Sequence, residues 1–230
     1  YIVRNFGLKA APWTMLVGLG AFAFLLRAVP KPEGEGLRQY GFLGSIKEAL
    51  GKVWKWIVLI WLIMSLRAFV SQSFMTFMPM LYTREGYSLV SVGLLASLFT
   101  VAGTLSGLLA GHLSDRIGHR PVFFVSHLLA APLLLAVVVV RGNWVYPCVF
   151  GAGFFTMATL PLGVALAQEL APKGKSMVAS LMMGFALGTG GLLSPLVGKL
   201  SDIYSIESVL SGLTLVPLIS LILILFLPKK

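Results

Sequence analysis

Acidic residues are scarce in this chain: eight Asp and Glu among 230 residues, against 18 Lys and Arg. Charged residues of both signs make up only 11% of it, where a soluble domain carries about a quarter, so an ordinary water-soluble globule is excluded. The single cysteine, Cys148, excludes an internal disulfide framework and any multi-cysteine metal site. It stands in an apolar run and reads as a small packing residue. A Walker sequence, a His-Glu-x-x-His pair, a nucleophile elbow and a cluster of paired carboxylates are all missing from the sequence. The residues that nucleotide hydrolysis, zinc hydrolysis or nucleophilic catalysis require are therefore lacking, and neither enzymatic activity nor a metal or other cofactor is expected.

What is present is apolar. Hydrophobic residues account for 57% of the chain and the mean hydropathy is +0.92. At about 20 apolar residues per membrane-spanning helix, this composition supplies about six spans with their connections. Stretches long enough to span run over Ala10–Val29, Trp56–Tyr82, Leu89–Gly111, Pro121–Val140, Trp144–Leu166, Ser176–Leu200 and Val209–Leu227, seven in all. Turn and charge signals separate them: Thr83-Arg84-Glu85-Gly86, Asp115-Arg116-Ile117-Gly118, Arg141-Gly142-Asn143, Pro172-Lys173-Gly174-Lys175 and Ser201-Asp202-Ile203-Tyr204. Only the separator from Pro30 to Lys55 is long. In it, Ser45-Ile46-Lys47-Glu48 has capping-box spacing ahead of Leu50, Val53, Trp54 and Ile57 at helical intervals, which predicts a short interfacial helix feeding the next span.

The net charge of +10 would raise nucleic acid as a partner in a soluble protein. Its distribution gives another account. Counted on alternate loops, 12 Lys and Arg fall on one side of the bilayer, five on the other, and one, Arg67, within a span. Short cytoplasmic loops retain positive charge, so the richer side is expected to be cytoplasmic. The basic excess is topological, and no nucleic-acid partner is expected.

Between the Leu89 and Pro121 stretches stands Gly111-His112-Leu113-Ser114-Asp115-Arg116-Ile117-Gly118-His119-Arg120. This run resembles the G-x-L-(A/S)-D-R-x-G-R-R/K signature of major facilitator superfamily transporters, found between the second and third helices of each six-helix half, with His119 in place of a basic residue. The resemblance implies an all-α integral membrane fold: a six-helix C-terminal half over residues 56–230, a cytoplasmic linker over 30–55, and the last helix of an N-terminal half over 1–29. On that reading the chain is a fragment and lacks most of its first half. The resemblance also implies a gating role for Gly111, Asp115, Arg116, Gly118 and Arg120, with Asp115 facing the N-terminus of a helix from the other half to close the cytoplasmic side. Gly107 and Gly111 form a small-xxx-small step for close helix approach, and Gly118 permits a tight turn.

An ionisable side chain in the bilayer core costs about 3 kcal/mol on insertion scales and faces protein or water. Arg67 is the clearest case, with Ser71, Phe74 and Met78 following at helical spacing. A forked, permanently cationic donor suits a carboxylate, phosphate or phosphonate. These four residues, with Phe154, Thr159 and Glu169, are the candidate substrate and proton pathway. Stripes of small residues, Ser97, Thr100, Thr104, Gly107 and Gly111 in one span and Ser180, Gly184, Gly188, Gly191 and Pro195 in another, read as packing surfaces, the second able to bend. A lone His127 reads as a packed histidine.

The segment from Ala167-Gln168-Glu169 to Ser180, and Arg67-Ala68-Phe69, are similar to the fosmidomycin-resistance-type efflux branch of the superfamily. This implies a secondary active transporter working by alternating access: proton-coupled efflux of a small anionic or drug-like compound such as a phosphonate, with the proton as coupling ion. The expected place is the bacterial cytoplasmic membrane. The alternatives are an uptake symporter for an organic anion and a non-transporting membrane subunit that retains the fold.

Overall fold

A computed structural model describes residues 15–28, 51 and 53–228, divided into two units, 1–45 and 46–230. The first unit contains one described helix, α1 (Met15–Ala28), apolar throughout except for Arg27 in its last turn. The ends of the expected Ala10–Val29 span, most of the 30–55 linker and the capping box at Ser45 lie outside the described residues.

The second unit holds six helices long and apolar enough to cross a membrane. The first three are single helices: α2 (Trp54–Arg84), α3 (Leu89–Ile117) and α4 (His119–Val139). The next, Gly142–Leu170, begins with a 3-10 turn and continues as α5 (Val145–Met157) and α6 (Thr159–Leu170). The fifth consists of α7 (Lys175–Ser180), a π-helical segment over Leu181–Phe185, and α8 (Ala186–Ile203). The sixth is α9 (Ile206–Leu213) followed by α10 (Val216–Ile224). Among the described residues there is no strand.

Local chemistry explains where the helices start and break. Ser88 caps α3, its Oγ accepting from the Ser91 amide at 3.2 Å, and Ser205 caps α9 in the same way from Ser208. Proline has no N–H, so Pro161 leaves the Met157 carbonyl without its partner four residues on, and α5 ends at Met157. Pro217 does the same to Leu213, the last residue of α9. The expected Trp144–Leu166 and Val209–Leu227 spans are therefore each two helices. The bend expected from the Gly184–Pro195 stretch has a different origin: α8 runs through Pro195, and the irregularity is the π segment before it.

Two apolar clusters fill the unit, and α2 contributes to both. One gathers Phe74, Leu81, Tyr82, Leu95, Phe99 and Leu134; the other gathers Ile60, Met64, Phe123, Leu162, Met182 and Ile224. Lipid is as apolar as leucine, so such packing rests on close van der Waals fit rather than on escape from water. Glycines provide that fit. A Cβ on Gly153 would collide with the Phe99 backbone, one on Gly163 with the Met64 side chain, and one on Gly190 would stand 2.7 Å from the Ala68 carbonyl carbon and the Phe69 amide nitrogen. Beside Gly190, Thr189 Oγ1 donates to Ser65 Oγ at 3.1 Å. Thus α8 and α6 both press on the middle of α2.

Candidate transport surface and gating motif

The signature run is mostly helical. Its polar composition predicts a loop, but α3 continues through Asp115 and Arg116 to Ile117, and Gly118 alone makes the turn into α4. Gly118 has φ +87°, which strains any residue with a Cβ. Asp115 and Arg116 stand exposed on the last turn of α3. His119 and Arg120, by contrast, are engaged within the unit. The buried His119 donates Nε2–H to Glu169 Oε1 at 3.1 Å, and Arg120 Nη2 donates to the Leu225 carbonyl at 2.7 Å. These bonds tie the start of α4 to the ends of α6 and α10, around a cleft lined by Gly118, His119, Arg120, Glu169 and Pro228. Glu169, expected on the pathway, is half-exposed at this end. The Gly107–Gly111 step is only partly used: Gly107 meets Pro161, while a Cβ on Gly111 would touch nothing.

A second knot closes the opposite end. Arg141 pairs with Glu85 at 2.5 Å and also donates to the Val138 carbonyl. Tyr82 Oη donates to the Val137 carbonyl at 2.5 Å, and the Gly142 amide donates to Tyr87 Oη at 2.9 Å. The Glu85 carboxyl is held above its ordinary range, chiefly because burial penalises its charge; Arg141 opposes the shift and Glu207 adds to it.

The pathway candidates on α2 lie on its packed side. Arg67 is 5% exposed, Ser71 3%, Phe74 0% and Met78 1%. Phe74 and Met78 belong to an apolar cluster, and Ser71 Oγ donates to its own helix at Ala68. Thr159 is also fully buried. Phe154 is half-buried between Phe150 and Phe155, at ring distances of 6.4 and 5.2 Å. An ionisable residue deep in a span faces protein or water, and the side of α2 that carries Arg67 faces the interior of the described bundle. The open side of α2 carries Val58, Leu62, Gln72, Thr76 and Met80. Gln72 and Thr76 are the polar residues on that open side. They stand at i and i+4 within the 31-residue span, a spacing that is readable in the sequence.

The other exposed faces fit the stripes read from sequence. Ser97, Thr100, Thr104 on α3 and Ser180, Gly184, Gly188 and Pro195 on the fifth span point away from the described unit, and Cβ atoms on Gly184, Gly188 and Gly191 would meet nothing. Nothing of the described unit covers these faces.

Six spans, small-residue faces left open and a helical signature at one end define a membrane transporter fold. The family model described as Major Facilitator Superfamily matches residues 1–181, and the chain belongs to that superfamily. Among curated relatives it is 36% identical over 138 residues to the Fosmidomycin resistance protein of Escherichia coli (strain K12), covering 60% of this chain and 33% of that protein. It is 27% identical over 124 residues to the uncharacterized MFS-type transporter YfnC of Bacillus subtilis (strain 168), covering 54% of this chain and 30% of that one. The chain thus spans about a third of the curated relatives it matches. Its fold is that of FucP, a superfamily transporter solved in the outward conformation: TM-score 0.72 at 17% identity, covering 97% of this chain and 56% of FucP. A second structure, of the E. coli fucose:proton symporter FucP, gives the same TM-score at 16% identity, with the same shares covered. The protein is a multi-pass membrane protein.

Proposed function

We propose that this chain forms the C-terminal half of a secondary transporter of the bacterial cytoplasmic membrane, which exports a small anionic or drug-like compound such as a phosphonate in exchange for protons. The observation that supports it most is the pair of interrupted spans beside α2. The break at Ala158 and the π segment over Leu181–Phe185 lie in elements that both contact α2, on a helix whose open side bears Gln72 and Thr76. Interrupted helices at mid-membrane are where transporters of this architecture build substrate and ion sites, and π segments recur at functional positions. A glutamine amide facing lipid would be unsatisfied, so this side of α2 faces water or another part of the protein. The name of the E. coli relative supports the compound class and the outward direction.

The motif end is cytoplasmic in this reading. Asp115 lies at the C-terminus of α3, where its own helix dipole repels it. Its stabilising partner is the positive end of a helix in the other half, met when the cytoplasmic side closes. Gly111, Arg116, Gly118 and Arg120 shape and anchor that contact.

The test is accumulation of a labelled phosphonate antibiotic in cells that produce the full-length protein, with and without a protonophore. Export predicts reduced accumulation that the protonophore restores. Raised accumulation would support an uptake symporter, and unchanged accumulation at normal protein levels would overturn transport of this class.

A further inference from the structure

Behind the packed side of α2 lies a small cavity between α2, α4, α5 and α10, lined by Arg67, His127, Phe155, Thr156, Pro217 and Ser220 among others. Its polar groups are deeply buried: Arg67 is 5% exposed, His127 and Thr156 each 4%, Ser220 1%. Arg67 Nε and Nη1, Thr156 Oγ1 and His127 Nε2 all lack a hydrogen-bond partner. Ser220 Oγ is satisfied by the Val216 carbonyl. Buried polar groups are paired in folded proteins, and four orphan atoms on one cavity mark a place where something binds.

Charge decides what that is. A water can accept from Arg67 but leaves its positive charge uncompensated, and a buried unpaired charge is costly. Among the described residues, no carboxylate lines the cavity. The cavity has room for one small guest, a water or a monatomic ion, and too little for a carboxylate-bearing compound or a phosphonate. His127 contributes conditionally. Its Nδ1 lies 2.9 Å from the Phe123 carbonyl, which can only accept, so Nδ1 carries a proton and Nε2 becomes a second donor toward the cavity only when the ring is protonated.

We propose that this cavity is a resident site for a halide-sized monovalent anion, held by Arg67 Nε and Nη1 and Thr156 Oγ1, and joined by His127 Nε2 when that ring is charged. Among the described residues, Arg67 and His127 are the only ionisable groups on its wall. Binding of the anion and protonation of His127 therefore strengthen one another, as linkage requires. The site is separate from the open face of α2 and does not depend on what the protein transports.

Thermal unfolding of the purified full-length protein tests this in chloride or bromide against gluconate at equal ionic strength. A ligand that binds only the folded state raises the midpoint, here by about 5 °C at saturating chloride. Thr156→Val should weaken the apparent chloride affinity about tenfold, and Arg67→Met should abolish the chloride response. The same midpoint in chloride, bromide and gluconate would mean that the cavity holds only a water and would overturn the proposal. A chloride response retained by both variants would overturn it as well, and Thr156→Val provides this check even if Arg67→Met does not fold.

Discussion

The two sides of α2 differ sharply in burial. One side carries Arg67, Ser71, Phe74 and Met78 and is packed to 5% exposure or less; the other carries Leu62, Gln72, Thr76 and Met80 and is open. The packed side holds the charge that lies deepest in the span, while the open side carries the uncharged polar residues Gln72 and Thr76. Depth in the bilayer therefore says that a side chain needs company, and does not say whether that company is core or pathway. The same contrast recurs between spans. The apolar window of α2 that qualifies it as a span is 56% buried, while that of the Lys175–Ile203 span is 22% buried, because the small residues of the latter point outward.

This contrast can be broken from the packed side first. Phe74→Ala should cost about 3 to 5 kcal/mol, because it opens a void where both faces of the ring are in contact; thermal or denaturant unfolding in detergent checks it. Gly190→Val should cost about 1 to 3 kcal/mol, since its Cβ lands on the α2 backbone and the helices must separate. The same measurement, with Gly191→Ala as a neutral control, checks it. Tyr82→Phe removes the bond to the Val137 carbonyl at the Arg141 end and should cost about 1 kcal/mol.

The smallest effect concerns Glu85 in the same knot. Its folded-state carboxyl is raised above the ordinary value by burial, so the folded state holds the proton more tightly than the unfolded state does. Stability from this group is thus greatest below the ordinary carboxylate value and falls as pH rises from there through the raised one. Glu85→Gln should flatten that part of the stability profile, measured as unfolding midpoint against pH.

Much of this was legible in the sequence. Hydropathy located the six spans of the second unit to within a few residues, because each is a nearly unbroken apolar run between polar turns. The signature at Gly111–Arg120 identified the superfamily, and Gly118 was the turn, as its φ of +87° requires. The motif's helical extent was not legible, since charged residues in the last turn of a long membrane helix look like a loop. Nor was the face of α2 that lies open. Helical spacing groups Arg67 with Ser71, Phe74 and Met78, but it cannot say on which side the neighbouring helices lie. That is set by Gly163 and Gly190, which admit α6 and α8 against the Met64 and Ala68 region. The pairing of His119 with Glu169 joins residues 50 apart, a distance no local pattern spans.

The most direct test of the account is cysteine accessibility along α2, in the full-length protein with Cys148 replaced by alanine. Gln72→Cys and Thr76→Cys should react with a membrane-impermeant maleimide and be protected by the transported compound, while Ser71→Cys and Met78→Cys should stay unlabelled in the folded protein. Labelling of Ser71→Cys and Met78→Cys, with Gln72→Cys and Thr76→Cys unreactive, would place the pathway on the opposite side of the helix and contradict it.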